Sequence, residues 1–471
     1  MYLDKENVMK IKENINENIF RGYDIRGIYP TELDDETAYT VGLGFGSYIK
    51  SIGKTTCVIG HDNRLSSPSL YEALKTGILE TGINIISLGL CTTPMYYYAC
   101  IKLQIYSGVM VTASHNPKDD NGLKFAFDEN GNCKGQEIQD FLAYIKRGDF
   151  ATGEGKVTDY DIRNDYLDKI KSSINLGDRK LRIAVDCGNA ATTVIAKDVF
   201  SMFPFETHYL FIESDGTFPN HHPDPQVEEN LEYLKKYVVD NKLDIGLAFD
   251  GDGDRIGIVD ENGKHVVADK NMIIIARDII KDLDDKRFLF DVKCSKAVED
   301  EVNKLGGIPV LYKNGSAYIK KKVRTDNIKF GGEFSGHFFF NDRYLGYDDG
   351  IYGGLRLVEI LSKTDKKYSE LLDGAPFYYN TPEIKLEAND DIKWKLVDKV
   401  KEYAIGKNYN INDIDGVRVT FDDGWALVRA SNTGPNLTTR FEATTLERLE
   451  EIKNDYDFYL EKSIEEDGIN G

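Results

Sequence analysis

Long apolar runs are missing from this chain. Nowhere does it approach the roughly 18 consecutive apolar residues that a membrane-spanning helix requires, so no such helix is expected. The opening segment, MYLDKENVMKIKENINEN, is polar throughout and has no apolar stretch of the kind found in secretory signals. Cysteine is scarce. The six present (Cys57, Cys91, Cys100, Cys133, Cys187 and Cys294) show no C-x-x-C spacing, and three lie in or beside strand-like apolar runs. That is reduced-thiol usage, and a cytoplasmic location is expected. Positive charge is also in deficit. Lys and Arg number 59 against 79 Asp and Glu, a formal charge of -20. Nucleic acid and anionic membranes are therefore excluded as expected partners. An acidic protein that binds anions must gather its arginines and lysines locally. The G-x-S-x-G elbow of α/β-hydrolases is absent too, which argues against acyl transfer.

The most informative stretch present is Phe249-Asp250-Gly251-Asp252-Gly253-Asp254-Arg255. Asp250, Asp252 and Asp254 stand at i, i+2 and i+4 between two apolar, strand-like segments. Three carboxylates so spaced repel one another unless a cation joins them. Oxygen-only donors favour a hard ion, Mg2+ or Ca2+, over zinc. The glycines let the backbone bend enough for the acids to converge. An EF-hand is the first alternative, since Glu261 falls on the twelfth position of its loop. Arg255 stands where that loop needs glycine, however, and strands rather than helices flank it. The second alternative is a solvated acidic turn. An arginine directly after the acids suggests instead a site that also holds an anion.

A weak threefold repeat organises the chain. Strands CVIGHD (from Cys57), RIAVDC (from Arg182) and FLFDVK (from Phe288) each precede a helix. The first helix is expected from Pro68, capped by Ser67, and stops near Gly82. The third begins after Ser295 and stops at Gly306. Second strands follow as NIISL, HYLFI and IPVLY. A later strand then runs into a polar, glycine-bearing motif: VMVTASHNP, LAFDGDGDR and IKFGGEFSGH. Such units build mostly parallel sheets whose ligands bind beyond the carboxyl ends of the strands. The last hundred or so residues differ, with strands Val417 to Phe421 and Trp425 to Arg429 around an Asp-Asp-Gly turn, and read as a smaller α+β domain.

Four more motifs carry chemistry. In Thr112-Ala113-Ser114-His115-Asn116-Pro117, followed by Lys124, a serine at a strand end beside a histidine suggests covalent phosphoryl transfer once a hard-metal site is granted. In Gly331-Gly332-Glu333-Phe334-Ser335-Gly336-His337, alternate residues of an extended segment point the same way. A carboxylate with a hydroxyl suits vicinal sugar hydroxyls. In Arg429-Ala430-Ser431-Asn432-Thr433-Gly434-Pro435, a guanidinium, two hydroxyls, an amide and loop N–H groups suit a phosphate. Phe20-Arg21-Gly22-Tyr23-Asp24-Ile25-Arg26-Gly27 adds two arginines. Each alone has a bland reading as a turn or bend.

Together, in this order and spacing, the motifs resemble the α-D-phosphohexomutase superfamily, in its phosphomannomutase/phosphoglucomutase branch, from Phe20 to about Glu442. The resemblance implies an α/β fold: three related mixed α/β domains plus a smaller C-terminal α+β domain around a central cleft. Their expected bounds are 1–158, 159–263, 264–373 and 374–471. It implies reversible phosphoryl transfer between the 1- and 6-positions of mannose or glucose phosphate, through a phosphoserine and a hexose 1,6-bisphosphate. Ser114 resembles the phosphoserine. Asp250, Asp252 and Asp254 resemble Mg2+ ligands, with a phosphoserine oxygen completing the set. Arg255 resembles the arginine beside that phosphate, and His115 and Lys124 match residues implicated in proton transfer. Tyr23 and Arg26 match cleft residues, and Lys293 a sugar-phosphate contact. Glu333, Ser335 and His337 match the sugar-binding loop. Arg429, Ser431, Asn432 and Thr433 match the loop for the non-transferring phosphate. Arg440 matches a basic neighbour, and FPNHHPDP (from Phe218) another family loop. One departure stands out: Ser316 occupies a substrate position where gluco/manno members usually carry histidine. The implied partner is a phosphosugar, and the implied state a monomer or weak homo-oligomer. Phosphoglucosamine mutase is the same-class alternative. A HAD-type sugar phosphatase using Asp250 and Asp252, with Asp348 and Asp349 as its later acids, is the alternative from another class. A non-catalytic sugar-phosphate-binding paralogue is the third.

Overall fold

The computed structural model describes residues 9–129, 131–431, 434 and 436–466. They form two compact units. The first holds the described residues up to Val267 together with Ser335–Glu370. The second holds Ala268–Phe334 and the described residues from Leu371 onward.

The first unit contains two mixed sheets. Strands β1 (Ile25–Ile28), β2 (Thr56–His61), β3 (Asn84–Leu90), β4 (Gly108–Val111), β5 (Asp120–Ala126) and β6 (Val157–Asp159) are ordered β1-β5-β4-β2-β3-β6. Strands β7 (Arg182–Asp186), β8 (Glu206–Leu210), β9 (Ile245–Phe249), β10 (Ile256–Asp260) and β11 (His265–Val266) are ordered β11-β10-β9-β7-β8. In the second unit, β12 (Arg287–Asp291) lies between β13 (Ile308–Tyr312) and β14 (Phe330–Gly332), parallel to both. The repeat is now explicit. Each sheet sets a second strand, a first strand and a motif-bearing strand side by side and parallel: β3-β2-β4, β8-β7-β9 and β13-β12-β14. In the first two, an antiparallel strand (β5 or β10) returns beside the motif strand, so a chain that leaves through a motif comes straight back past it.

These central strands are buried on both faces and read as continuous apolar runs, as strands covered by helices must. The helix after β2 spans Ser67–Glu80, and no side chain caps its start. The expected cap at Ser67 is therefore corrected: Ser67 lies inside the helix and its Oγ donates to Asp62 Oδ1, a carboxylate that outcompetes a backbone cap. Helix Lys296–Lys304 begins as expected, with Ser295 Oγ accepting from Ala297 N. At the C-terminal end, five antiparallel strands run in the order Tyr379–Asn380, Asn436–Ala443, Gly424–Ala430, Val417–Phe421 and Asn410–Asn412. Ile384–Glu387 pairs with Asn436–Ala443 as well. Helices Asp390–Gly406 and Leu446–Glu466 share a buried core with this sheet, built on Val400, Val419, Phe441 and Tyr456. Among the described residues no helix is long and apolar enough to cross a membrane.

Candidate active site

Strand β4 ends at Val111, and the chain turns at once. Thr112 Oγ1 accepts from Ser114 N at 2.9 Å, and Asn116 N donates to Ala113 O at 3.0 Å. Ser114 itself has φ of 53°, in the left-handed region, where a residue with a Cβ costs about 1–2 kcal/mol. Arg26 is bonded to this turn. It donates to Ala113 O (3.2 Å) and Asn116 Oδ1 (2.7 Å), and its Nε to Asp24 Oδ2 (2.7 Å). Tyr23 lies near both Arg26 and Arg255.

The acid loop leaves β9 and folds on itself, because Asp250 Oδ1 accepts from Gly253 N (3.0 Å) and Arg255 N (3.1 Å). Gly253, at φ of 80°, supplies the left-handed step that this needs. The other Asp250 oxygen accepts from Ser114 Oγ at 2.9 Å. The two loops, 136 residues apart in sequence, are thus joined at the serine. Gly251 lies so close that a Cβ there would be 2.2 Å from Ser114 O. Asp252 and Asp254 share one ammonium: Lys124 Nζ, brought in by β5, lies 2.6 Å from Asp252 Oδ2 and 2.7 Å from Asp254 Oδ2. Thr93 Oγ1 also donates to Asp252 Oδ2 at 2.6 Å.

The three acids suit a hard cation. They offer carboxylate oxygens within 4.8 Å of one another, and all three residues are buried. Asp252 Oδ1 and Asp254 Oδ1 have no hydrogen-bond partner, an arrangement that costs stability unless something positive meets them. Burial, then repulsion from Asp254 and Asp252, pushes the Asp250 carboxyl well above its usual range. Burial opposes ionisation of Asp254 as well, but Lys124 and then His337 hold its carboxyl below the usual range. Lys124 is itself buried, which disfavours its charge, yet Asp252 and Asp254 raise its pKa well above the ordinary lysine value. It is an ammonium here. His115, by contrast, is driven well below its usual pKa by burial and then by Arg255 and Arg26, and is neutral. Its Nδ1 stands 3.4 Å from Ser114 Oγ.

The segment after β14 departs from expectation. It turns at Phe334–Gly336, with Gly336 at φ of 87°, so Glu333, Ser335 and His337 do not alternate along one extended strand. Glu333 belongs to the second unit, whereas Ser335 and His337 belong to the first. His337 Nε2 accepts from Arg255 Nε at 2.9 Å, so its proton is on Nδ1, which faces Asp348 Oδ2 at 3.2 Å and Asp254 Oδ1 at 3.5 Å.

In the second unit, Glu333 Oε1 accepts from Gly315 N (2.6 Å) and Asn314 Nδ2 (2.9 Å), which brings the turn leading into the helix that starts at Ser316 beside it. Lys293 pairs with Glu383 at 2.9 Å. Burial disfavours both charges, but each offsets the other's penalty, and Arg440 and Arg429 add to the positive field on Glu383. Arg429 forms a fork with Asp415, at 3.2 and 3.3 Å. Ser431 Oγ accepts from Gly434 N at 3.1 Å, and Lys393 Nζ donates to Ser431 O (2.7 Å) and Gly434 O (3.1 Å). Asn432 and Thr433 lie outside the described residues. Arg440 donates to Lys293 O and stacks on Phe334, 3.9 Å from its centroid.

Ser114, His115, Lys124, Asp250, Asp252, Asp254 and Arg255 are thus gathered in the first unit, and Lys293, Ser316, Glu333, Arg429 and Ser431 are placed in the second. Sequence reasoning missed Arg64, Asn314, Glu383, Lys393 and Asp415. Asn314 stands in the segment that carries Ser316, and the other four are in no recognisable motif. Each signals itself only once its partners, well away along the chain, are known.

Comparisons with known proteins point to one family. The four phosphoglucomutase/phosphomannomutase family profiles match in order: alpha/beta/alpha domain I over residues 17–152, domain II over 164–263, domain III over 268–378 and the C-terminal domain over 383–457. The chain is 41% identical over 438 residues to a phosphomannomutase/phosphoglucomutase of Pseudomonas putida, covering 93% of this chain and 94% of that protein. It is 38% identical over 456 residues to a phosphoglucomutase of Neisseria gonorrhoeae, covering 96% and 98%. The crystal structure of a phosphoglucomutase/phosphomannomutase family protein from Burkholderia thailandensis superimposes with a TM-score of 0.88 at 36% identity, covering 96% of this chain and 98% of that one.

Proposed function

The chain belongs to the phosphoglucomutase/phosphomannomutase family of the α-D-phosphohexomutases, and from that premise we propose that it isomerises glucose and mannose phosphates through a phosphorylated Ser114. It is a phosphohexomutase, an isomerase acting on hexose phosphates. The HAD-type phosphatase alternative falls with the family assignment. The observation that carries the finer reading is Ser114 Oγ at 2.9 Å from Asp250, at the edge of a buried acid trio with two unpartnered oxygens.

In the proposed cycle, phosphorylated Ser114 gives its phosphoryl group to the free hydroxyl of a hexose 1- or 6-phosphate. The P–Oγ bond breaks, a P–O bond to the sugar forms, and neutral His115, 3.4 Å from Oγ, takes the hydroxyl proton and passes it to the departing Ser114 oxygen. The resulting 1,6-bisphosphate turns over and returns its other phosphoryl group to Ser114, and the proton goes back to the sugar oxygen. Lys124 is an ammonium between two carboxylates, so its part is to offset charge rather than to accept the proton. Arg255, 3.9 Å from Asp250, does the same on the other side. Charge makes both necessary, since a phosphoserine brings about -1.5 to -2 to a site already holding three acids. Asp250, Asp252 and Asp254 would hold Mg2+, a hard ion for oxygen donors, which when bound neutralises and polarises the transferring phosphoryl group. Burial of the serine and acids keeps bulk water from an activated phosphate.

In the second unit, Glu333 and its neighbour Ser316 are suited to sugar hydroxyls, and Lys293, Arg429 and Ser431 to a phosphate. Glucose and mannose differ only at C2, so a clamp on other hydroxyls would accept both. The reading keeps four domains, divided at residues 158, 263 and 373. Its test is intact mass before and after glucose 1,6-bisphosphate, with Mg2+ present and absent. The wild type should gain one phosphoryl group and Ser114→Ala none. Equal gain in both proteins would sink the assignment.

A further inference from the structure

Arg64, in the loop after β2, has no task in the proposed cycle and is 1% exposed. A guanidinium carries five N–H donors, and each finds an acceptor here. Nε donates to Asp62 Oδ2 at 3.2 Å. One Nη donates to Pro117 O and, at 3.1 Å, to Asp120 O. The other donates to Ser114 O at 2.8 Å and Asn116 O at 2.7 Å. Four acceptors of the five are therefore backbone carbonyls of one turn, the turn that presents the reactive serine. Irregular buried backbone needs such partners, because no strand or helix supplies them.

The arginine is itself fixed. Asp62 Oδ1 accepts from Arg64 N at 3.1 Å and from Ser67 Oγ, and Asn121 Nδ2 donates to Ser67 Oγ at 2.9 Å. The ring of Phe218 covers the guanidinium, 5.4 Å from its centroid. Phe218 opens the FPNHHPDP segment, which otherwise has no assigned role. Two residues earlier, Gly216 lies so near the arginine's own loop that a Cβ would be 2.2 Å from Asn63 O. Across the turn, Gly251 of the acid loop rests on the same Ser114 carbonyl that Arg64 binds.

With every donor occupied and the side chain out of reach of solvent, Arg64 has nothing to offer a phosphate or a sugar. It can act only through the turn. We propose that Arg64 is a positioning residue, holding Ser114–Asp120 so that a serine in a left-handed backbone conformation keeps Oγ on Asp250, with Asp62 and Phe218 holding the arginine in place. This rests on the reading that Ser114 carries the phosphoryl group.

Arg64→Lys is the test. It keeps the charge beside Asp62 but gathers its donors on one atom, which cannot span four carbonyls. Four quantities are measured: kcat, KM for glucose 1-phosphate, the rate of phosphoryl uptake from glucose 1,6-bisphosphate by intact mass, and Tm. The expected result is that kcat and uptake fall together by about 100-fold, the scale of a misplacement of about 1 Å. KM should stay within about twofold, since the groups assigned to the sugar lie on other segments of the chain. Asp62→Asn, which loosens the arginine without removing it, should lose roughly tenfold in the same two rates and serves if the lysine variant does not fold. A kcat within about threefold of wild type in a folded variant overturns the proposal, as does a loss carried wholly by KM. Absence of uptake by the wild type would remove the serine reading, and this inference with it. Uptake by the wild type with unimpaired uptake by the variants removes this inference alone.

Discussion

Replacing Gly251 by alanine isolates the packing of the acid loop on the serine turn. The backbone at Gly251 is not in the left-handed region, so alanine can adopt its conformation, and the cost is one of space. The added Cβ would lie 2.2 Å from Ser114 O, against 3.4 Å for the near edge of ordinary contact. The deficit is 1.2 Å (3.4 minus 2.2), and neither partner is a flexible side-chain end, because the obstacle is a backbone carbonyl that Arg64 also holds. Overpacking of this kind costs about 1–3 kcal/mol of stability. A reacting group displaced by about 1 Å loses on the order of 100-fold in rate, about 2.7 kcal/mol of barrier. Glucose 1-phosphate turnover, coupled to oxidation of the 6-phosphate, should show kcat down by that factor with KM little changed. Gly253→Ala is the matched control. Its φ of 80° strains an alanine by about 1 kcal/mol, but its Cβ meets a Thr192 methyl at 2.8 Å rather than the serine carbonyl. Similar loss of Tm with a smaller loss of kcat is expected for the control. The reasoning is refuted if Gly251→Ala keeps kcat within about threefold, or if the two variants lose rate equally.

Three further outcomes are expected. Asp252→Asn should weaken Mg2+ binding by at least about 10–100-fold in calorimetric titration, the scale of losing even an outer partner of a metal site; an unchanged Kd would remove the acid trio as its holder. Ser316→His restores the side chain usual at this position in the family and should raise kcat/KM on glucose or mannose 1-phosphate by about tenfold, one hydrogen bond's worth. Less than a twofold change on both, and on glucosamine 1-phosphate, would leave the position without a substrate role. His221 is partly buried, which disfavours its charge, but hydrogen bonds at 3.1 Å to both Asp186 oxygens outweigh that and raise its pKa above the ordinary 6.5. Its stabilisation is therefore complete below pH 6.5 and is lost as pH rises through the raised folded value. The Tm deficit of His221→Gln should be larger at pH 5.5 than at pH 8.5, and a deficit independent of pH would contradict the assignment.

Much of this could be read along the chain because the information is local. Three acids at alternate positions between apolar strands announce a converging cluster, and a motif at the end of a buried strand announces a site at its carboxyl edge. The three repeated strand triplets were visible for the same reason. What stayed hidden depends on partners far away in sequence. Nothing near Lys124 in the sequence shows that its ammonium lies between Asp252 and Asp254. Nothing near Arg26 shows its bonds to Ala113 and Asn116 either. Ser67 reads as a helix cap until Asp62 claims its hydroxyl. Alternation misled at Glu333–His337 because the chain turns at Gly336, and a single left-handed glycine cancels a period-two argument.

The ammonium between Asp252 and Asp254 has a consequence for the protein when it is stripped of divalent ions. A trio of acids packed away from solvent would ordinarily push its loops apart once its ion left. Here a tethered cation, Lys124, stays beside two of the acids and offsets part of their charge, so the loops should stay together. Ion loss should then be a quiet, reversible event, silencing the enzyme without unravelling it, and a chelated sample should regain full turnover as soon as the metal is returned.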